Sequence, residues 1–505
     1  GSRVLVPFGP HHLIGVVVRM GQKPRTGRTR AVERLLEKKP ILSPQLLQLG
    51  LWVSSYYMAP PGETLRTMLP PGLLARKISL DEGKVVGRFW PVKQQLAIVE
   101  VEPGGVRLTA KQSEVLDHLS KRTLPLPVQH LLKEIGISRS VIQSLASKGA
   151  IRLESVETYR SPWALSEIVE DPDKHQLSSE QMGIYKKIRT LLAQSGFRRM
   201  LIHGVTGSGK TEIYLNAIEY ALSLGKSALV LVPEIGLTPQ ISGYFRAWFG
   251  ERVAILHSGL SEGERFDQWR RIREGEAPVV VGTRSAIFAP LFDLGLIIVD
   301  EEHDGSYKQE ELPRYHARDV ALKRGQIEDL LVILGSATPQ LETYHHSFEK
   351  GEPQYEVLKS RILERPLPTI HVVDMRHEFQ KRGKASIFSE VLEVGIRQRL
   401  KRQEQTLILL NRRGFASALL CRSCGHTERC QNCSISLTYH QNKNRLMCHY
   451  CGYIADVPRR CSACEKEYIY FLGEGTEKIQ EILRQMFPKA VIDRLDRDTV
   501  RTKGS

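Results

Sequence analysis

Gly204-Val205-Thr206-Gly207-Ser208-Gly209-Lys210-Thr211 fits G-x-x-x-x-G-K-[ST], with an apolar run at 199–202 before it and a helical pattern after it. Strand, glycine turn and helix in that order make a phosphate cradle. The glycines let the backbone curl until its N–H groups face the anion, and the helix N-terminus adds its positive end. Gly204, Val205, Thr206, Gly207, Ser208 and Gly209 would wrap the phosphates, Lys210 would reach the β and γ groups, and Thr211 would hold Mg²⁺. A plain glycine turn ahead of a helix is the blander reading, but all three local signals agree with ATP.

Working outward, apolar runs at 228–232, 253–256, 279–281, 296–299 and 331–334 alternate with helical patterns. That alternation predicts a parallel sheet covered on both faces. The run at 296–299 delivers Asp300-Glu301-Glu302-His303 at a strand's carboxyl end, where ligands sit in open α/β sheets. Asp300 suits Mg²⁺, and Glu301 suits polarising the attacking water. Downstream, an arginine- and proline-rich linker near 360–368 leads to a second α/β segment that begins with a strand at 406–410. A cysteine block interrupts this segment, which resumes at Tyr468.

A chain of 505 residues exceeds one core and divides into several domains. With 72 Lys+Arg against 56 Asp+Glu it carries +16, which favours a polyanionic partner, nucleic acid before anionic membrane. No apolar run is long enough to cross a bilayer and no signal segment opens the chain, so the reading is a cytoplasmic protein with no membrane partner. All eight cysteines fall between Cys421 and Cys464, as Cys421/Cys424, Cys430/Cys433, Cys448/Cys451 and Cys461/Cys464. Four such knuckles in a reducing compartment supply two tetrahedral Zn²⁺ sites, and suit zinc better than an iron–sulfur cluster. They can pair in three ways; the 14-residue spacer between the second and third favours a nested scheme. His426, His440 and His449 read as surface residues, since sulfur fills both sites. The block's arginines suit DNA contact, and a protein-docking platform fits equally.

Upstream, residues 1–104 read as a small β-rich domain with a helix at 42–57 and strands at 3–6, 13–18 and 96–101. Residues 105–165 show helices at 110–120, 128–135 and 139–148, the last capped by Ser138 and ended by Gly149, then a strand at 151–155. That is the outline of a winged helix, and also of many protein-binding bundles. Between the acidic motif and Gly335-Ser-Ala-Thr338-Pro lies a loop with Tyr307, Lys308, Arg314, Tyr315 and Arg318. Its interleaved aromatics and cations suit base stacking and phosphate pairing, and an exposed loop packing its tyrosines on the lobe is the alternative.

Asp-Glu-x-His is the mark of superfamily 2 helicases, and other landmarks follow in order. Gly335–Pro339 resembles motif III; Thr238 with Gln240, and Thr283 with Arg284, resemble lobe-1 strand-tracking motifs; Gln181 is placed like the adenine-contacting glutamine. With the cysteine array, Asn411-RRGFA and Arg3-VLVPFG, the chain resembles the primosomal protein N′ (PriA) family of bacterial replication-restart helicases. The resemblance implies a multidomain α/β chain: a RecA-like P-loop helicase lobe (177–358) and a partial second lobe (366–420 and 467–505) with a two-zinc insertion (421–466), preceded by a small β-rich DNA-binding domain and a winged helix.

It also implies a 3′→5′ DNA helicase that recognises forks and D-loops, binds single-stranded DNA, and assembles with primosome proteins and single-stranded DNA-binding protein on the nucleoid. Gly9 and Arg30 take positions in a pocket for the 3′ end of the leading strand. The zinc pairing it implies is Cys421, Cys424, Cys461, Cys464 on one ion and Cys430, Cys433, Cys448, Cys451 on the other. The family's first strand, its Gln-x-x-Gly-Arg-x-Gly-Arg motif and its C-terminal domain have no counterpart in this sequence, which implies weak hydrolysis by the chain alone. A fork-binding scaffold with a dispensable motor and a double-stranded DNA translocase are the competing readings; the translocase fits the lobe but not the zinc insertion.

Overall fold

The computed structural model describes residues 1–21, 30–71, 73, 79–81, 84–86, 92–99, 108–120, 126–160, 176–234, 239–349, 354–362, 368–382, 387–410, 418–440, 444–467, 469–472 and 476–495. The chain divides into two units, Gly1–Pro366 and Leu367–Ser505.

The first unit opens with strands β1 (Arg3–Phe8), β2 (His11–Val16) and β3 (Arg34–Leu35), ordered β2-β1-β3. Helices α1 (Pro44–Tyr56) and α2 (Pro61–Thr67) follow. Ser43 caps α1, its Oγ accepting from the Leu46 N–H at 3.1 Å, and Pro44 suits the first turn because its missing N–H would go unpaired anyway. Next come β4 (Ser79–Asp81) and β5 (Lys84–Val86), a two-stranded pair, then β6 (Val92–Val99).

Helices α3 (Ala110–Ser120), α4 (Val128–Glu134) and α5 (Arg139–Ser147) match the expected trio, with β7 (Leu126–Pro127) and β8 (Ile151–Thr158). Strand β6 pairs with β7 and β8, so the strand assigned by sequence to the N-terminal domain belongs to this helical module instead. Local pattern cannot reveal a pairing made across about fifty residues of chain. Val115, Leu131, Ile142, Leu145 and Ile151 fill the module's core. Gly149 ends α5 at φ +70°, as expected. Ser138 stands at the cap position of α5, but its hydroxyl bonds Ser140 rather than capping.

The helicase lobe follows: α6 (Ser179–Leu192), β9 (Arg198–Gly204), α7 (Lys210–Ser223), β10 (Ser227–Leu231), α8 (Pro239–Phe249), β11 (Val253–Leu256), α9 (Glu262–Arg273), β12 (Val279–Gly282), β13 (Leu294–Val299), α10 (Ala317–Glu328), β14 (Leu331–Ser336), α11 (Leu341–Glu349) and β15 (Gln354–Leu358). Its sheet is wholly parallel, ordered β11-β12-β10-β13-β14-β9-β15. Alternate residues of each strand enter opposite clusters. Leu201, Leu229, Ile297 and Leu334 join one, with α10 and with α1 of the N-terminal region; Ile202, Val230, Ile298 and Ile333 join the other, with α6, α7 and α8. Full burial on both faces explains why these strands read as continuous apolar runs.

The second unit contains α12 (Met375–Arg382), α13 (Glu390–Lys401), β16 (Ala418–Cys421), β17 (Thr438–His440), β18 (Arg445–Met447), β19 (Ile454–Asp456), β20 (Ile469–Leu472) and α14 (Thr476–Met486). Strands β17, β18 and β19 form one small sheet, and β16 pairs with β20 beyond the cysteine block. Phe388, Ile396, Ile479, Leu483 and Phe487 make the helical core. The strand expected at 406–410 is not one: among the described residues nothing pairs with it. Ile408 and Leu410 rest on the helical core while Leu407 and Leu409 are 95% and 83% exposed. Asn411 and the residues to Ala416 lie outside the described residues, as does Thr238.

Candidate active site and metal clusters

Strand order builds the first site. The P-loop follows β9 and the acidic motif follows β13, and the strand lying between those two is β14, whose end is Gly335-Ser336. Three stretches well separated in the chain, at 204–211, 300–303 and 335–339, thus meet at one carboxyl edge.

Gly207 and Gly209 have φ +81° and +77°, which glycine adopts without strain. A Cβ on Gly209 would sit 2.3 Å from Gln181 Nε2, and one on Gly204 would sit 2.6 Å from Ser208 Oγ. The loop therefore closes only with glycine at both places. Gln181 serves two neighbours: its Oε1 accepts from the Ser178 N–H at 2.8 Å in a capping box, and its Nε2 donates to the Ser208 carbonyl at 3.0 Å. Here the predicted adenine contact is a brace between α6 and the P-loop. Lys210, buried, donates to the Gly204 carbonyl at 3.0 Å and lies 3.6 Å from Glu301 Oε1. Ser208 Oγ is buried with no partner among the described residues. Val205, Thr206 and Thr211 complete the curl, with Thr211 at the second position of α7. A cationic amine, an unpaired hydroxyl and a glycine curl at a helix N-terminus fit a nucleotide phosphate chain.

Asp300 is the carboxylate of this site whose titration is shifted. Burial pushes its carboxyl up to about 6, and the Glu301 charge adds to that, while Lys210 and the Tyr214 hydroxyl work against it. Tyr214 donates to Asp300 Oδ1 at 3.0 Å. Glu301, at φ +45°, accepts from the Ala337 N–H at 3.4 Å. Glu302 is fully buried and carries no expected role, yet it is the hub of the motif. It accepts from the Gln340 N–H at 2.7 Å, Arg318 Nη1 at 3.0 Å and Thr343 Oγ1 at 3.2 Å. His303 bonds Ser336 Oγ at 2.7 Å and Thr338 Oγ1 at 3.3 Å. With the Glu302 N–H donating to the Gly335 carbonyl at 3.0 Å, every residue of the acidic motif is tied either to the Gly335–Pro339 segment or to the helix of the P-loop. Carboxylates clustered beside a P-loop fit Mg²⁺.

Three of the predicted DNA-contacting side chains, Tyr307, Tyr315 and Thr283, are internal, and Arg318 and Arg284 are engaged by protein groups. Tyr307 and Tyr315 are buried to 0% and 1% exposure. The Tyr307 hydroxyl lies 2.5 Å from the Asp300 carbonyl and 3.0 Å from that of Leu231, and the Tyr315 ring packs edge-on against Phe288. Neither ring is available to stack a base: the loop folds back and spends its aromatics on the lobe. Arg318 is held by Glu302 and Asp319, and Arg284 by the carbonyls of Ser306 and Lys308 at 3.0 and 2.7 Å. Thr283 is buried at the head of a 3₁₀ turn. Lys308 donates to the Arg314 carbonyl and sits 5.3 Å over the Tyr57 ring. Arg314 and Gln240 are exposed. In the N-terminal sheet Gly9 turns the β1–β2 hairpin at φ +60°, and its carbonyl accepts from Arg30 Nη1 at 3.2 Å, so these two predicted pocket residues touch.

The cysteines gather into two sets, Cys421, Cys424, Cys461, Cys464 and Cys430, Cys433, Cys448, Cys451, each with all sulfurs within 4.8 Å of one another. Sulfur pairs lie at 3.6, 3.6 and 3.5 Å for Cys421–Cys464, Cys424–Cys461 and Cys430–Cys451. A tetrahedron of thiolates at ~2.3 Å from zinc has edges of roughly 3.8 Å, so the donor set fits that ion. All four knuckles share one backbone design. The residue after each second cysteine is left-handed (Gly425, Ser434, Gly452, Glu465), and its N–H donates to the carbonyl of the first cysteine at 2.8–2.9 Å. No histidine among the described residues joins either set; His440 and His449 bond each other instead.

Comparison with known proteins follows the same division. The family models that match are the 3′DNA-binding domain (3′BD) of PriA over residues 1–70, the DEAD/DEAH box helicase over 185–346, and the PriA DNA helicase Cys-rich region (CRR) domain over 430–455. The replication restart protein PriA of Bacillus subtilis (strain 168) is 38% identical over 564 residues, an alignment covering all of this chain and 70% of that protein. Those of Synechocystis sp. and Haemophilus influenzae are each 36% identical, covering all of this chain and 69% and 67% of their own lengths. Among the described residues no helix is long and apolar enough to cross a membrane.

Proposed function

The chain belongs to the family of replication restart protein PriA, and from that premise we propose that it is an ATP-dependent 3′→5′ DNA helicase of replication restart. It recognises stalled or abandoned forks and D-loops and initiates primosome assembly. The observation that carries this reading is the convergence of Lys210, Asp300, Glu301 and the Gly335–Pro339 segment at one sheet edge. A change at the phosphates there reaches a segment whose position depends on the same hydrogen bonds.

The residues divide the work. The P-loop from Gly204 to Thr211 cradles the triphosphate and Lys210 meets its terminal charge. Asp300 and Thr211 would hold Mg²⁺, which supplies neutralisation of charge at the transferring phosphoryl group. Glu301 orients the attacking water and takes up its proton. His303 and Glu302 pass the change in charge to Thr338 and Gln340 through bonds already formed. Gln181 braces the loop and would turn its amide from the Ser208 carbonyl toward adenine when nucleotide binds.

The match of residues 1–70 to a 3′ DNA-binding domain supports capture of a leading-strand 3′ end near Gly9 and Arg30. Gln240, Arg314 and Lys308 are the cations and amides best exposed for strand contact. Two Zn²⁺ on the eight cysteines hold the insertion together in a structural role. We assign residues 105–165, joined by strand β6 from before them, as a winged helix on the strength of three helices against the three-stranded sheet β7-β6-β8. Primosome proteins and single-stranded DNA-binding protein are the proposed partners, in the cytoplasm on the nucleoid.

Strand displacement tests the reading. On forked DNA with a leading-strand 3′ end at the branch, the protein should separate the lagging arm with ATP and Mg²⁺ but not with a non-hydrolysable analogue. Loss of displacement when the 3′ end is moved away from the branch is expected. Equal displacement with the analogue would remove the motor from the account.

A further inference from the structure

The Tyr214 hydroxyl sits where no motif puts a functional group. The residue lies three positions past Thr211 on α7, on the face that packs against the sheet, and is 1% exposed. A buried tyrosine hydroxyl needs a partner, and many carbonyls could serve. This one reaches Asp300 Oδ1 at 3.0 Å. To do so it crosses the end of β14, directly over Gly335: a Cβ there would stand 1.7 Å from the hydroxyl oxygen, 3.0 Å from Cζ and 3.3 Å from Asp300 Oδ1. The glycine that opens the Gly335–Pro339 segment is therefore the gap through which the P-loop helix touches the acidic motif. Tyr307 in turn holds the Asp300 main chain through its carbonyl. Two buried tyrosines clamp one carboxylate residue, one by its side chain and one by its backbone.

We propose that Tyr214 is a positioning residue for Mg²⁺: its hydroxyl fixes the Asp300 carboxylate relative to the P-loop helix, and Gly335 is glycine to let it pass. Groups that orient a metal ligand from behind typically contribute ten- to a hundredfold to metal affinity. The arrangement also couples parts. Any movement of the segment at Gly335 presses on the hydroxyl and so on the metal-binding carboxylate.

This inference rests on the ATP and Mg²⁺ reading of the site, and its test separates the two. Binding of a fluorescent ADP is followed while Mg²⁺ is titrated, for the unsubstituted protein, Tyr214→Phe, Gly335→Ala and the double variant. Tyr214→Phe should raise the Mg²⁺ needed for half-maximal binding about tenfold, leaving magnesium-free ADP affinity unchanged. Gly335→Ala should disturb the Mg²⁺ dependence further, and adding Tyr214→Phe, which removes the 1.7 Å clash with the oxygen and leaves the 3.0 Å approach to Cζ, should bring it part of the way back toward the level of Tyr214→Phe alone. An unchanged Mg²⁺ requirement in Tyr214→Phe overturns the positioning role, as does a double variant no better than Gly335→Ala. If the unsubstituted protein binds no nucleotide, the ATP reading itself has failed. Should Gly335→Ala not fold, the single Tyr214→Phe titration still decides.

Discussion

Set side by side, the P-loop lobe and the cysteine-rich segment keep their working atoms in place with different materials. In the lobe each strand of a seven-stranded sheet feeds alternate side chains into one of two apolar clusters, and the site residues ride on the strand ends. Among the described residues the cysteine-rich segment buries little beyond Leu419, Leu437, Leu446 and four of its own cysteines. Its order comes from two sets of four sulfurs and four repeated left-handed turns. The lobe should therefore respond in small graded steps to the loss of single contacts, and the cysteine segment in all-or-none fashion to the loss of an ion.

The largest effect that could break this contrast comes from metal removal. Structural zinc contributes an apparent ~10–16 kcal/mol to folding such segments. Denaturation with a strong chelator should release two zinc ions per chain, and Cys448→Ala should retain one. Hydrogen exchange in that variant should show residues 430–457 opened and β9 and β13 as protected as before. A variant that keeps both ions, or one whose lobe melts with the segment, would contradict the division.

Within the lobe, Arg318→Ala removes the cation beside Glu302, which is wholly buried. Leaving a buried carboxylate without its charge partner costs about 3 kcal/mol. Chemical denaturation should register that loss while the zinc count stays at two. If fork affinity falls at high salt and stability does not change, Arg318 is a DNA contact after all.

The smallest effect sharpens the other side. Glu465 and Ser434 hold the left-handed turn position that glycine fills in the other two knuckles. Glu465→Gly should relieve strain of about 1 kcal/mol or less and slow zinc loss to a competing chelator slightly. Faster loss would mean that the side chain, not the turn, matters there.

Contiguous chemistry was legible in the sequence. The P-loop, the acidic motif and the cysteine spacing each concentrate their meaning in a few adjacent residues, and fully buried parallel strands announce themselves as apolar runs. The edge strand β15 was missed because Gln354-Tyr-Glu-Val-Leu358 is half-buried and short, with no unbroken apolar run. Tyr307 and Tyr315 misled because aromatics among cations look the same whether a loop is extended or folded back on its lobe. The protein partners of Arg318 and Arg284 gave no sign for a related reason: which carboxylate or carbonyls a cation meets is set by tertiary structure. Glu302 and Tyr214 carried no signal, since their roles arise only when β14 is laid between β9 and β13.

The account stands most directly on one pair of readings taken with Lys210→Ala: affinity for a forked DNA, and ATP-driven separation of its strands. Binding within about twofold of the unsubstituted protein, since sites that share no partners respond independently, together with no strand separation, is the predicted result. Strand separation that survives the substitution would contradict it.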